Sequence, residues 1–440
     1  MTTKNIKVKY ITSDLINSPT LKNEFGSLNA LLKIVLTEGF NQKKVESYLY
    51  DSTSKTATIN LPLNHGFTVN TVIEIEGATE AVFNGQFRVK TSEGIRITFE
   101  LESTEGLSEA STVSEITIKV APLGYTIPYE NEKEGVICFK NKSLKSPAIL
   151  KSIDKLPPNG YNNSWAKFSR VVIGQSIDSS GEFINNLKAP YWPSYPEVEK
   201  TGNKIQGAGG IHGYAKWDYA IHNDYNFMET FVPINNQFPT DWRIIGDDKT
   251  FYLMIRAMGK NRYSYNVLGF GNYVSENDKE TFNICLQARH GPVNANQHWY
   301  YNFLRSGNNF GALDWDFSGN LFANIYGNVI NQTREGIYRC TGLVFTGNHI
   351  SQPWRTPYIK GILPFSGSCV TSKLYIKDAD SYIRGYHRGI KIFYGDSNFP
   401  DNFSNDEGDL VLHVQAPMNT SSSENEIQPL LFSLKDWEDV

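Results

Sequence analysis

Apolar residues in "SLNALLKIVLTEGF" recur three and four positions apart, which sets Leu28, Leu31, Leu32, Val35 and Leu36 on one face of a helix. Ser27 is expected to cap its start and Gly39 to end it. The stripe must lie on a sheet or on a neighbouring subunit, so Leu28, Leu31, Leu32 and Val35 are candidate interface residues. After this helix the period drops to two. In "VIEIE", Ile73 and Ile75 alternate with Glu74 and Glu76, the mark of a half-buried strand. With "TATINL", "GQFRVKT", "IRITFEL" and "EITIKVAP", this predicts a small all-β module over 51–122, behind an N-terminal segment 1–50 that carries the helix. Asn84-Gly85 is a turn dipeptide. His65 reads as a turn residue, because no second ligand-type residue clusters with it.

A linker is expected over 123–148, and strand-turn-strand patterning then resumes to the end of the chain in "SRVVIGQSI", "WRIIGDDKTFYLMIRAM", "YSYNVLGFGNY", "TFNICLQAR", "RGIKIFYG" and "GDLVLHVQA". Strand-helix alternation and a phosphate-binding glycine loop are absent, which argues against a parallel α/β sheet. The predicted class is mainly β: a small N-terminal β module with one helix, followed by a larger antiparallel β-sandwich over 149–440. Two stretches read as long protruding loops. Pro190, Pro193 and Pro196 exclude a central strand near 186–212, and Gly-Asn pairs crowd 299–335. Trp192, Trp299, Tyr300 and Trp315 lie in these loops and complete the candidate interface.

Composition narrows the function. The net charge of −4 comes without a basic stripe, which weighs against nucleic acid as a partner. Cys138, Cys285, Cys340 and Cys369 are far apart and form no Cys-x-x-Cys pair, so buried free thiols are expected rather than a zinc site. No apolar run approaches the roughly 18 residues of a membrane span, and "MTTKNIKVKY" has no apolar signal core. Folding in a cytoplasm without membrane insertion is the expectation.

"IIGDD" reads like the metal-binding hairpin of RNA-dependent polymerases. Two-metal chemistry needs a second carboxylate on a separate strand, and Asp218 and Asp224 are too near in sequence to Asp247 for a polymerase palm. Gly246-Asp247-Asp248-Lys249 is therefore read as a turn between two strands, in which Asp247→Asn or Asp248→Asn should cost little. Asp314 and Asp316 flank Trp315 as in a sugar site, but nothing in the sequence supplies burial or a partner. His212 and His222 are too far apart for a helical zinc pair, and no Gly-x-Ser-x-Gly elbow occurs. No catalytic residue, metal or cofactor is expected.

Several blocks resemble, in order, a family of uncharacterised virion structural proteins of tailed bacteriophages and prophages. The opening blocks are Lys9-Tyr10-Ile11-Thr12-Ser13, Pro19 and Gly39-Phe40-Asn41. The module matches at His65-Gly66-Phe67, Ile73, Ile75, Gly77-Ala78, Asn84-Gly85, Phe87 and Val89, and the linker at Ala121 to Tyr125. Further on come Phe238-Pro239, Trp242, Gly246-Asp247, Phe251-Tyr252-Leu253, "SYIRGYHRGIKIFY" and "GDLVLHVQAP". The resemblance covers roughly the first 140 residues well and scattered blocks after that, and the ending "LLFSLKDWEDV" departs from the family's pattern. It implies a non-enzymatic virion component of the tail, baseplate or neck, assembled in the host cytoplasm. Its partners would be copies of itself and other virion proteins. The alternatives left open are recognition of a host surface glycan through Trp299, Tyr300 and Trp315, and a glycan hydrolase using Asp314 and Asp316.

Overall fold

A computed structural model describes residues 8–102, 106–156, 167–184, 191–192, 215–219, 239–256, 265–275, 283–287, 289–290, 312–315, 321–324, 340–341, 370–377, 383–394, 402–404, 410–417, 427–435 and 437. The protein is mainly β. Among the described residues the strands form four seven-stranded sheets, antiparallel except where Asn283–Gln287 runs parallel to Leu321–Asn324.

The module sheet takes the strands in the order Phe40–Lys44, Thr117–Val120, Val72–Glu76, Gly85–Glu93, Arg96–Glu100, Thr56–Asn60 and Ser47–Asp51. It thus recruits two strands from the segment expected to precede it, because Phe40 and Tyr48 alternate inward with Ile59, Ile73 and Phe99. The Asn84-Gly85 turn dipeptide closes a longer connection between Val72–Glu76 and Gly85–Glu93. Asn84 bonds back to Ala78 N (2.9 Å) and Ala78 O (2.7 Å), and Gly85 already pairs with Ile75. His65 is a turn residue: its Nδ1 accepts from Phe67 N (3.0 Å) and its carbonyl from Asn41 (2.7 Å).

The expected linker is also built into a sheet. Thr126–Asn131 and Val136–Lys140 form a hairpin that continues through Ile149–Ile153 and Phe168–Gly174 to Ala215–Asp218 and Arg289–His290. The pair Tyr191–Trp192 joins the side of this sheet, so Trp192 lies in a short strand within the proline-rich stretch.

The third sheet explains the run "TFYLMI". Thr250–Arg256 is flanked by Trp242–Gly246 and Tyr265–Asn272, and Lys9–Thr12 closes that edge. One face of the strand, Phe251, Leu253 and Ile255, joins the main core with Trp217, Phe270 and Leu150. Its other face presents Tyr252 to His387 and Phe432, in the strands Ile383–Tyr394 and Ile427–Ser433 of the fourth sheet, and to Trp437 just beyond that sheet. A strand buried on both faces has no polar alternation, hence the unbroken apolar run. The architecture around it is therefore three layers rather than the two of a simple sandwich.

The helix Ser27–Lys33 continues into one π-turn, Ile34–Glu38, and stops at Gly39 as expected (φ +76°). Leu28, Leu31, Leu32, Val35 and Leu36 are all fully buried in the chain's own core. Of the two expected destinations the stripe takes the sheet, which leaves none of Leu28, Leu31, Leu32 and Val35 for a sister subunit. The expected cap is also corrected. Ser27 Oγ accepts from Lys22 N (2.8 Å), and Asp154, at the end of Ile149–Ile153, accepts from Leu28 N (3.0 Å) and Asn29 N (3.2 Å) instead. Asp154 also receives Tyr219 Oη at 2.7 Å. Asp154→Ala should lower stability by about 1–3 kcal/mol, since it strands two helix N–H groups and leaves Tyr219 Oη only its bond to Glu24 O (2.9 Å). Asp154→Asn, which keeps an acceptor oxygen, should cost less; equal losses in urea denaturation would contradict the capping role.

Candidate functional site

The chemistry-bearing cluster of the described chain centres on the turn between Trp242–Gly246 and Thr250–Arg256. Gly246 fits there because a Cβ would run into Phe251 and the Thr250 carbonyl. Asp247 follows and is fully buried. Its N–H donates to Thr250 O (2.9 Å), and its Oδ1 accepts from Lys249 N and Thr250 N, both at 2.9 Å. Arg388, from the long strand Ile383–Tyr394, completes it with two parallel bonds, Nη1 to Oδ1 at 2.9 Å and Nη2 to Oδ2 at 2.7 Å. The guanidinium is also fully buried, lies against the Trp437 ring, and bonds Thr250 Oγ1 (3.1 Å). Tyr252 Oη donates to the Arg388 carbonyl (3.1 Å). Gly389 must remain glycine, since at φ +67° a Cβ would enter the Trp437 indole.

This overturns the expectation that Asp247→Asn costs little. The turn is roofed by the fourth sheet, and its carboxylate is half of a buried bidentate ion pair. Sequence gave no sign of this, because the partner lies 141 residues away.

A second buried network ties this turn to the loop at 141–148. Asn141 Nδ2 donates to Lys249 O (3.0 Å) and to Asn272 Oδ1 (2.7 Å), while Asn272 Nδ2 reaches Ser146 O (2.8 Å) and Asn283 Oδ1 (3.1 Å). Lys142 N donates to Asp248 O (2.8 Å). Burial, with Asp247 beside it, raises the Asp248 carboxyl above its ordinary range, against the pull of Lys142 and Lys9. Burial likewise lowers the Lys9 ammonium to about 8. Cys138 and Cys285 are buried thiols pushed up to about 12 by burial, as inert structural cysteines should be.

What the cluster can do chemically is limited. Oδ1 of Asp247 accepts three donors and Oδ2 accepts Arg388 Nη2, so a metal would have to compete with the bidentate Arg388 for both oxygens. Among the described residues no group of three His, Cys, Asp or Glu could hold a metal ion. Asp218 lies in Ala215–Asp218, paired with Phe168 in a different sheet from Asp247. Asp314 and Trp315 fall in the short strand Ala312–Trp315. Trp299, Tyr300, Asp316, Asp224, His212 and His222 lie outside the described residues.

The groups that sequence reasoning missed are Arg388, Asp154 and the asparagine set 141, 272 and 283. All act through partners remote in sequence, and the one local hint was a charged residue inside the strand-like run "RGYHRGIKIFY".

No family model and no curated protein matches the chain. Among solved structures, a phage phi92 endosialidase aligns over 90% of this chain at 11% identity with a TM-score of 0.16. The chain spans about half, 52%, of that protein's length, and a likeness at this score carries no argument about fold or activity.

Proposed function

We infer that the chain is a structural component of a tailed-phage virion, present in several copies in the tail, baseplate or neck. The observation that carries this reading is where the residues of the family resemblance fall. Gly39, Phe40 and Asn41 end the helix and enter the module sheet, and Asn41 holds the His65 turn. Trp242 is buried and donates to Pro19 O (3.0 Å). Gly246-Asp247 forms the roofed turn, and Phe251-Tyr252-Leu253 is the doubly buried strand. Each of these blocks positions backbone or fills core, and Asp247, the buried carboxylate among them, is consumed by Arg388.

A framework protein needs that, and a catalyst would need groups left open to a substrate. The reading has no enzyme activity, no cofactor and no nucleic acid. Its partners are sister copies and other virion proteins, met after folding in the host cytoplasm. Mass spectrometry of purified particles, with imaging to place the subunit, should find the chain at a fixed multiple of known virion components. Its absence from intact particles would refute the proposal.

A further inference from the structure

The loop between Val136–Lys140 and Ile149–Ile153 combines two properties that seldom occur together. It is held rigidly, and its tip is bare. Asn141, Ser143 and Ser146 are buried. Ser146 N donates to Ser143 Oγ (3.2 Å), Ala148 N to Asn141 Oδ1 (2.8 Å), and the asparagine network fixes the base. Between these anchors Leu144 is 98% exposed. Single exposed apolar residues are ordinary on protein surfaces, but here the ordering entropy of the loop is already met before any partner arrives.

The surround is basic. Lys140, Lys142 and Lys145 are exposed, and no acidic residue occurs from Val136 to Ile153. Among the described residues none of these three lysines forms an ion pair; Asp248 is the electrostatic neighbour of Lys142.

The chain carries the complement of this tip elsewhere. Ser47–Asp51 is the outer strand of the module sheet. On it Leu49 is 46% exposed, Asp51 lies on the same face two residues on, and Glu109 is bridged directly alongside Leu49. An apolar residue flanked by two carboxylates thus matches an apolar residue flanked by lysines.

We propose that the 141–146 tip docks on the Leu49 edge of a second copy of this chain, seating Leu144 against Leu49 with Lys142 and Lys145 facing Asp51 and Glu109. The proposal rests on the multi-copy reading and gives it a contact. The two surfaces differ, so the contact is head-to-tail and leads to a ring or a stack rather than a closed two-fold dimer.

Sedimentation velocity of the full chain over a concentration series should show self-association that weakens with salt. Leu144→Asp should weaken it by about tenfold or more. The decisive arm uses two reversed copies. Lys142→Glu/Lys145→Glu and Asp51→Lys/Glu109→Lys should each fail to associate alone and should associate when mixed, which also shows that both remain folded. A wild type that stays monomeric, a reversed copy that associates alone, or a mixture that does not associate would each overturn the contact. In any of these cases, finding the chain in purified particles would leave the virion reading standing.

Discussion

Arg388→Met should destabilise the folded chain by about 3–5 kcal/mol, the cost of leaving a buried carboxylate without its counter-charge. The source is geometric. Asp247 and Arg388 are both fully buried, so water cannot replace the lost guanidinium. Lys249 N and Thr250 N still donate to Asp247, which keeps the turn formed but does not neutralise it. Asp247→Asn should cost a comparable amount from the other side, with the guanidinium now uncompensated. The double variant should cost less than the sum of the two, because each single change already removes the same interaction. Urea denaturation of the four proteins checks this. A loss below about 1 kcal/mol for Arg388→Met, the range of exposed pairs, would mean that solvent reaches the site.

The second large effect is a pair of opposed acid responses. Burial lowers the imidazole of His387 from 6.5 to about 3. The unfolded chain then binds the proton more readily, so stability is complete above about pH 6.5 and falls as pH drops towards 3. Asp154 is shifted the other way, from 3.8 to about 6, with burial outweighing its hydrogen bonds. Here the folded state binds the proton more readily, so stability rises as pH falls from 6 to 3.8. Between pH 7 and pH 4 the first contribution is about −3 kcal/mol and the second about +2 kcal/mol. These two groups therefore largely offset each other, leaving about −1 kcal/mol between them across this range. His387→Phe should gain stability on acidification and Asp154→Asn should lose it. Parallel profiles for the two variants in denaturation at pH 7 and pH 4 would show that these groups do not set the response.

How much of this could be read from the chain depends on the range of the interaction. The helix was legible because its five apolar positions and Gly39 lie within one short stretch, and the strand content because alternation is local. Asp154 as the helix cap was not, since Ser27 is the better local candidate, and Asp154 reaches the first helix N–H groups from a strand end far along the chain. The fate of the Leu28–Val35 stripe was open for the same reason: periodicity shows that a face is apolar, not what covers it. "IIGDD" is the turn its flanking strand formers predict, but the cost of substituting it is set by a strand buried on both faces, which places the turn under a third layer.

The pairing of Lys9–Thr12 with Trp242–Gly246 has a consequence in time. Ser13 Oγ accepts from Trp242 N across 229 residues of sequence. At a synthesis rate of about 5–20 residues per second, the N-terminal strand waits on the order of 10–45 seconds for its neighbour to leave the ribosome. During that wait its ladder groups are open to any extended chain nearby, including the same strand on adjacent nascent copies. Production at lower temperature or with a holdase should raise the yield of native chain more than it would for a protein whose first strand pairs with its second.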